Sequence, residues 1–170
     1  MRAMLPILAH QVLKLNEKAI IWVNFPATQA YVAACIQESG VDVRIFHSAL
    51  ESKAQVDLIK EFTYVRDSCM VLTCSLQVNA QGMNLQALCY NCHFFDTPRT
   101  DALRDQAIGC LRRIGQEEIV KVWEYRVLKS FNMRQVNNSI VKALPGIIAD
   151  MNSTLFDIEV ENNDTVNLGK

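Results

Sequence analysis

The sequence predicts an α/β fold in which a mostly parallel central sheet is flanked by helices. Three observations carry this. Short apolar runs rich in β-branched and aromatic residues alternate with longer segments of helical period. Half of the 170 residues are apolar and 21% are charged, which is enough to build a core. The runs are spaced for strand–helix–strand units, whose connections are right-handed.

The elements follow in order. Met4, Leu5, Leu8, Val12 and Leu15 stand at helical spacing, so 4–15 is a leading helix. AIIWVNF (19–25) is continuously apolar, as in a strand buried on both faces. Pro26 suits a first helical turn, and Gly40 the cap that ends that helix. DVRIFH (42–47) is a second strand, and Ser48 is positioned to cap a helix running to Phe62. SCMVLTC (68–74) is a third strand, followed by a polar loop, LQVNAQGMNLQAL (76–88). NCHFFD (91–96) is a fourth strand, stopped by Pro98. A helix follows over 100–112, then a strand over 119–127. A last helix is expected over 130–150, with Pro145-Gly146 as its weak point. In such a sheet, function is expected in loops after the carboxyl ends of the strands.

Formal net charge is −1, so bulk charge does not mark a nucleic-acid binder. The charge is uneven, however. Residues 151–170 hold Asp157, Glu159, Glu161 and Asp164 against Lys170 alone, and read as an acidic, flexible tail on a mildly basic body. No apolar run reaches the roughly 20 residues of a membrane helix, and the first residues lack the pattern of a secretory signal. The six cysteines lie mostly inside apolar runs, which reads as buried reduced thiols rather than a disulfide scaffold.

Cys89-Tyr90-Asn91-Cys92-His93 matches the C-x-x-C-H pattern of covalent haem attachment and contains a bare C-x-x-C. Haem attachment needs an export route, and zinc needs two further ligands at workable spacing. Neither haem nor zinc is expected. Trp22 and Trp123 fall in strands and read as core.

In QAIGCLRRIGQ (106–116) two adjacent arginines close a helix at an Ile-Gly-Gln turn. On local physics they favour the helix C-terminus, with Gly115 as cap. A functional reading lets one guanidinium reach a phosphate, for which its permanent charge and planar fork of donors are suited.

This segment resembles motif VI of the Swi/Snf-type helicase-like ATPases of helicase superfamily two. AIIWVNF resembles the strand that opens that family's second lobe. FHSALESKAQVDLIKEF (46–62) resembles its next strand-to-helix segment. AQGMNLQAL (80–88) resembles motif V, with Gly82-Met83-Asn84-Leu85 as the Gly-x-Asn-Leu core. FFDTPRT (94–100) resembles the link from motif V to motif VI. The resemblance covers about 15–130.

The resemblance implies a RecA-like lobe, the second of two with a P-loop NTPase-like fold, in a C-terminal helicase domain spanning 16–150. It implies ATP and Mg²⁺, bound mainly by a first RecA-like lobe. It implies duplex or nucleosomal DNA as partner, no membrane, and a nuclear location. Arg113 would be the catalytic arginine finger. Gly82, Asn84, Gln106 and Arg113 would face ATP, and Ser75, His47 and Ser48 would face DNA. The bland readings remain beside these. Asn84 suits a loop amide bonding its own backbone, Gln106 an exposed helix position, and His47 a satisfied surface histidine.

Four departures qualify the resemblance. Cys110 occupies the first arginine position of motif VI and cannot carry a permanent charge. Arg112, about 100° around the helix from Arg113, is not expected to substitute. Asn79 and Ala80 stand where glycines are common, and Gln55 where arginine is. The 170 residues contain no G-x-x-x-x-G-K-[ST] loop and no Asp-Glu-x-x box, so this chain alone is not expected to hydrolyse ATP. The alternative to a motor lobe is a catalytically silent, helicase-like interaction module.

Overall fold

A computed structural model describes residues 1–79 and 82–127, with isolated positions between 129 and 149. Most of the helix expected over 130–150, and all of the acidic tail, lie outside the described residues. Residues 1–127 form one compact unit and 128–170 a second.

Five strands build the sheet: β1 (Lys18–Val23), β2 (Val43–Phe46), β3 (Val71–Ser75), β4 (Cys89–Phe94) and β5 (Lys121–Glu124). Their order is β2-β3-β1-β4-β5, and every pairing is parallel. The expected mostly parallel sheet is thus wholly parallel among the described residues. All six residues of β1 are buried, as its continuous apolar run requires at the centre of a covered sheet.

Alternation along the strands sorts side chains to two faces. On one face, Ile20, Trp22, Leu72, Cys92 and Phe94 pack with helices α3 (Ser52–Tyr64) and α5 (Asp101–Gly109), through Phe62, Ala107 and neighbours. On the other, Ala19, Ile21, Val23 and Val71 pack against α1 (Met4–Ala9) and α2 (Pro26–Gln37), through Met4, Leu8, Val32 and Ile36. Each large apolar side chain so covered contributes about 1.5–3 kcal/mol, which is why helices cover both faces.

The boundaries differ from the sequence expectations for local reasons. α1 continues into a π-helical turn, His10–Lys14. Ser48 does not cap α3: the helix begins at Ser52 with Glu51 at the cap position. His47–Leu50 close a turn instead, and Gln55 Nε2 donates to the Leu50 and Ser48 carbonyls at 2.8 and 3.4 Å. β3 starts late because Cys69 takes a left-handed φ of 50° and donates its N–H to Asp42 Oδ2. The buried Lys18 ammonium bonds the Ser68 and Cys69 carbonyls. The loop after β3 opens with a short helix, α4 (Leu76–Asn79). β4 begins and ends two residues earlier than expected, and β5 is shorter at both ends. α5 is capped by Thr100 Oγ1, which accepts from Leu103 N at 3.2 Å, and stops at Gly109, three residues early.

The C-x-x-C-H residues do not converge. Cys89 and Cys92 point into the α3/α5 core, while His93 faces the π-helical turn that follows α1. His93 is fully buried in a polar chain whose direction is fixed from one end. The Glu17 carboxylate and the Lys18 carbonyl can only accept, so Asn91 Nδ2 donates to both, at 2.9 and 3.1 Å. Asn91 Oδ1 therefore accepts from Gln11 Nε2 at 2.9 Å, and Gln11 Oε1 accepts from His93 Nε2 at 2.8 Å. His93 Nδ1 is left to accept from the Tyr125 hydroxyl at 2.8 Å. The ring stacks with Trp123 and Tyr125, at centroid distances of 6.1 and 5.9 Å. Burial pushes its pKa down to about 3, so the imidazole is neutral in the fold.

Candidate functional site

Residues singled out in the sequence gather at two opposite ends of the sheet. His47, Ser48 and Ser75 lie at the carboxyl end, where β2 and β3 finish. Ser75 is buried, His47 half-buried and Ser48 exposed. Asn84 and Arg113 lie at the amino end, because α5 and the segment 82–88 both run back toward the start of β4. The segment after β3 therefore begins at one end of the sheet and finishes at the other.

At the amino end is an open groove of about 1090 Å³, lined by Asn84, Gln86, Arg112, Arg113 and Ile114 and by part of α5 and β5. The Ile-Gly-Gln turn shapes it. Gly115 reverses the chain with φ 93°, in the left-handed region that favours glycine. Gln116 then fastens the turn. Its Nε2 donates to the Gln86 and Cys89 carbonyls, both at 3.0 Å, and to Leu111 O at 3.3 Å. Its Oε1 accepts from Glu118 N at 3.0 Å. A second tie runs from Leu85 N to Cys110 O at 3.1 Å. These bonds hold the motif V-like and motif VI-like segments side by side.

Arg113 is exposed. Its Nη1 donates to Asn84 Oδ1 and its Nε to Gly109 O at 3.1 Å. The Asn84 carbonyl accepts from Thr63 Oγ1 at 3.3 Å. Arg104 also lines the groove, but Glu124 holds it in an ion pair at 2.6 Å. Ile114 is fully exposed and Ile119 nearly so. A groove of this size, with guanidinium donors beside exposed apolar side chains, suits a ligand carrying phosphates and a ring. Its open side is suited to closure by a second body.

The structure brings Arg113 and Asn84 together. Gly82 sits two residues before Asn84, with φ 80°. Gln106 is exposed on α5 outside the groove lining, and its carbonyl accepts from the Cys110 thiol at 3.4 Å. Cys110 is buried in the α3/α5 core. Burial raises its pKa, against the pull of the Arg113 charge. Sequence reasoning gave Gln116 no role, although its position after the Ile-Gly turn marked it. It also set Arg112 aside by treating 112–113 as helix, and those residues lie beyond the end of α5. Among the described residues, no group of three or more His, Cys, Asp or Glu is placed to hold a metal ion.

Residues 4–115 match the helicase conserved C-terminal domain family. An uncharacterized ATP-dependent helicase, YqhH of Bacillus subtilis, is 24% identical over 88% of this chain and 26% of its own length. An uncharacterized ATP-dependent helicase of Mycoplasma pneumoniae is 28% identical over 70% of this chain and 11% of its own. The DNA repair protein rad5 of Neurospora crassa is 23% identical over 84% of this chain and 12% of its own. The chain thus spans about a quarter or less of the length of these relatives. The crystal structure of the C-terminal part of the Fun30 ATPase domain shares the fold, with TM-score 0.74 at 18% identity. That match covers 80% of this chain and 43% of the other.

Proposed function

Because this chain belongs to the helicase conserved C-terminal domain family, we propose that it is the second motor lobe of a Swi/Snf-type ATP-dependent DNA translocase or chromatin remodeller. The groove at the amino end of the sheet is its share of an ATP site that a first RecA-like lobe completes. One observation carries this reading: Arg113 and Asn84, from two segments far apart in sequence, are fastened onto the same groove by Gln116.

The chemistry follows from the side chains. Arg113 is the finger. Its guanidinium exchanges the Asn84 amide oxygen for an oxygen of the γ-phosphoryl group as ATP is hydrolysed to ADP and phosphate. Charge neutralisation of this kind is worth roughly 10³–10⁵ in rate. Asn84, released, is free to turn to the nucleotide, and the left-handed Gly82 lets the loop approach it. Gln106 reaches ATP only once a first lobe closes over α5. Mg²⁺ would be held mainly by that first lobe, where it would neutralise phosphate charge. Ser75, His47 and Ser48 face duplex or nucleosomal DNA at the other end. The segment from Ser75 to Asn84 spans the two ends and links DNA to nucleotide. The lobe occupies 16–150, with a leading helix 1–15 and an acidic tail 151–170. The likeness to a DNA repair protein supports a nuclear location. No described helix is long and apolar enough to cross a membrane.

The buried, uncharged Cys110 favours the second reading, a silent interaction module. ATP turnover separates the two. The purified 170-residue chain is expected to show none. Joined to a first lobe carrying a phosphate loop, it is expected to hydrolyse ATP with stimulation by duplex DNA. Turnover by the chain alone would overturn the division of the ATP site between two lobes. A folded two-lobe protein that binds DNA without turnover would establish the silent module.

A further inference from the structure

The loss of charge at Cys110 leaves the groove with one finger where the family pattern has two, and the structure offers a replacement. Cys110 cannot serve even as a polar contact in the groove. It is 1% exposed, packed with Ala107 and Leu111, and its thiol donates back to the Gln106 carbonyl.

The next residues are placed by the way α5 ends. Leu111 N and Arg112 N both donate to Ile108 O at 3.0 Å, and Arg113 N donates to Leu111 O at 3.2 Å. Ile108 O thus takes both a 3₁₀-type bond and the last α-helical bond, and the ladder breaks at Arg113, whose N–H turns to Leu111 O instead of Gly109 O. The helical rotation that would throw Arg112 and Arg113 to different faces no longer applies. Both are exposed and both line the groove.

Their engagement differs. Arg104 is neutralised by Glu124, and Arg113 is held by Asn84. Arg112 forms no ion pair with any described residue. An exposed guanidinium in a groove, with no carboxylate partner among the described residues, is free to donate to an anion. Glu118 is the carboxylate of the groove lining, and its backbone N–H is tied to Gln116.

We propose that Arg112 is the second polyphosphate-binding guanidinium of this groove, taking the place of the charge absent at Cys110. This rests on the nucleotide reading of the groove. The two arginines then form an adjacent pair, in place of two fingers three residues apart.

The test is titration of the full 170-residue chain with tripolyphosphate, with ATP and with a short DNA duplex. Binding is followed by NMR chemical shifts, which register affinities into the millimolar range. Four proteins are compared: wild type, Arg112→Ala, Arg113→Ala and, as a control for general charge loss, Arg2→Ala, which precedes α1 and lies outside the groove lining. Each is first checked for an unchanged thermal midpoint. Arg112→Ala and Arg113→Ala are each expected to weaken tripolyphosphate and ATP binding about tenfold, as for loss of a charge-assisted hydrogen bond. Arg2→Ala should leave both unchanged. Tripolyphosphate binding retained by Arg112→Ala but lost by Arg113→Ala would overturn the pairing and leave the nucleotide groove standing. An equal loss in Arg2→Ala would reduce the effect to general charge. A loss of duplex binding alone in Arg112→Ala would assign that residue to DNA and overturn the proposal. No binding of either polyphosphate by the wild type would overturn the proposal, while the nucleotide reading is decided separately by turnover of the two-lobe protein.

Discussion

Lowering the pH from 7 to 5.5 is expected to destabilise the fold by about 1 kcal/mol through His93 alone. The imidazole is fully buried, and both nitrogens are committed to the Gln11–Asn91–Glu17 chain and to Tyr125. Burial pushes its pKa down to about 3 in the fold, against the ordinary 6.5 in the unfolded chain. The unfolded state therefore binds the proton first. His93 withholds no stability above about pH 6.5, and stability falls by about 1.4 kcal/mol per unit between that value and about 3. The assay is urea unfolding at pH 7.0 and 5.5 for wild type and His93→Gln. The glutamine amide can still donate to Gln11 Oε1, and it does not titrate in this range. The wild type should lose about 1 kcal/mol more than the variant between the two pH values. An equal loss in both would show that His93 is protonated in the fold or reachable by solvent, and the directional chain derived from Glu17 would be wrong.

Two further outcomes test the local architecture. Gln116→Ala removes donors to three carbonyls and should cost about 1–2 kcal/mol. It should also speed amide hydrogen exchange at Leu85 and along 86–89, where the motif V-like segment is held to the turn. Unchanged exchange there would mean that the groove is not fastened by Gln116. All six cysteines are free thiols and only Cys35 is not buried, so native protein should react quickly with a thiol reagent at one cysteine and in urea at six. Rapid native labelling of Cys89 or Cys92, whose thiols burial holds well above the ordinary range, would contradict the buried reading of the C-x-x-C-H segment.

The architecture was legible because apolar periodicity reports burial. β1 is buried at every position because it sits at the sheet centre, and Pro26 and Gly40 bracket α2 closely. The misplaced boundaries have one cause. A boundary depends on tertiary partners for backbone groups, and periodicity does not carry those. β3 starts late because Asp42 and Lys18, distant in sequence, take the backbone groups of Ser68 and Cys69. Ser48 had the right chemistry for a cap, but Gln55 satisfied the turn in its place. The same limit applies to the site. The resemblance names Arg113 and Asn84, but nothing in the sequence carries the bond between them. Arg112 was set aside on a helical angle that vanishes once α5 ends at Gly109. His93 read correctly as a strand histidine, but its partner Gln11 lies 82 residues away.

As the proposed finger, Arg113 acts on ATP held between this lobe and another. The most direct measurement of that role is DNA-stimulated ATP hydrolysis by a two-lobe protein containing this chain, with and without Arg113→Ala. With Arg113→Ala, kcat should fall at least a hundredfold while the fold and DNA binding are retained, as expected when a finger is removed. An Arg113→Ala protein that turns over ATP at the wild-type rate would contradict that role.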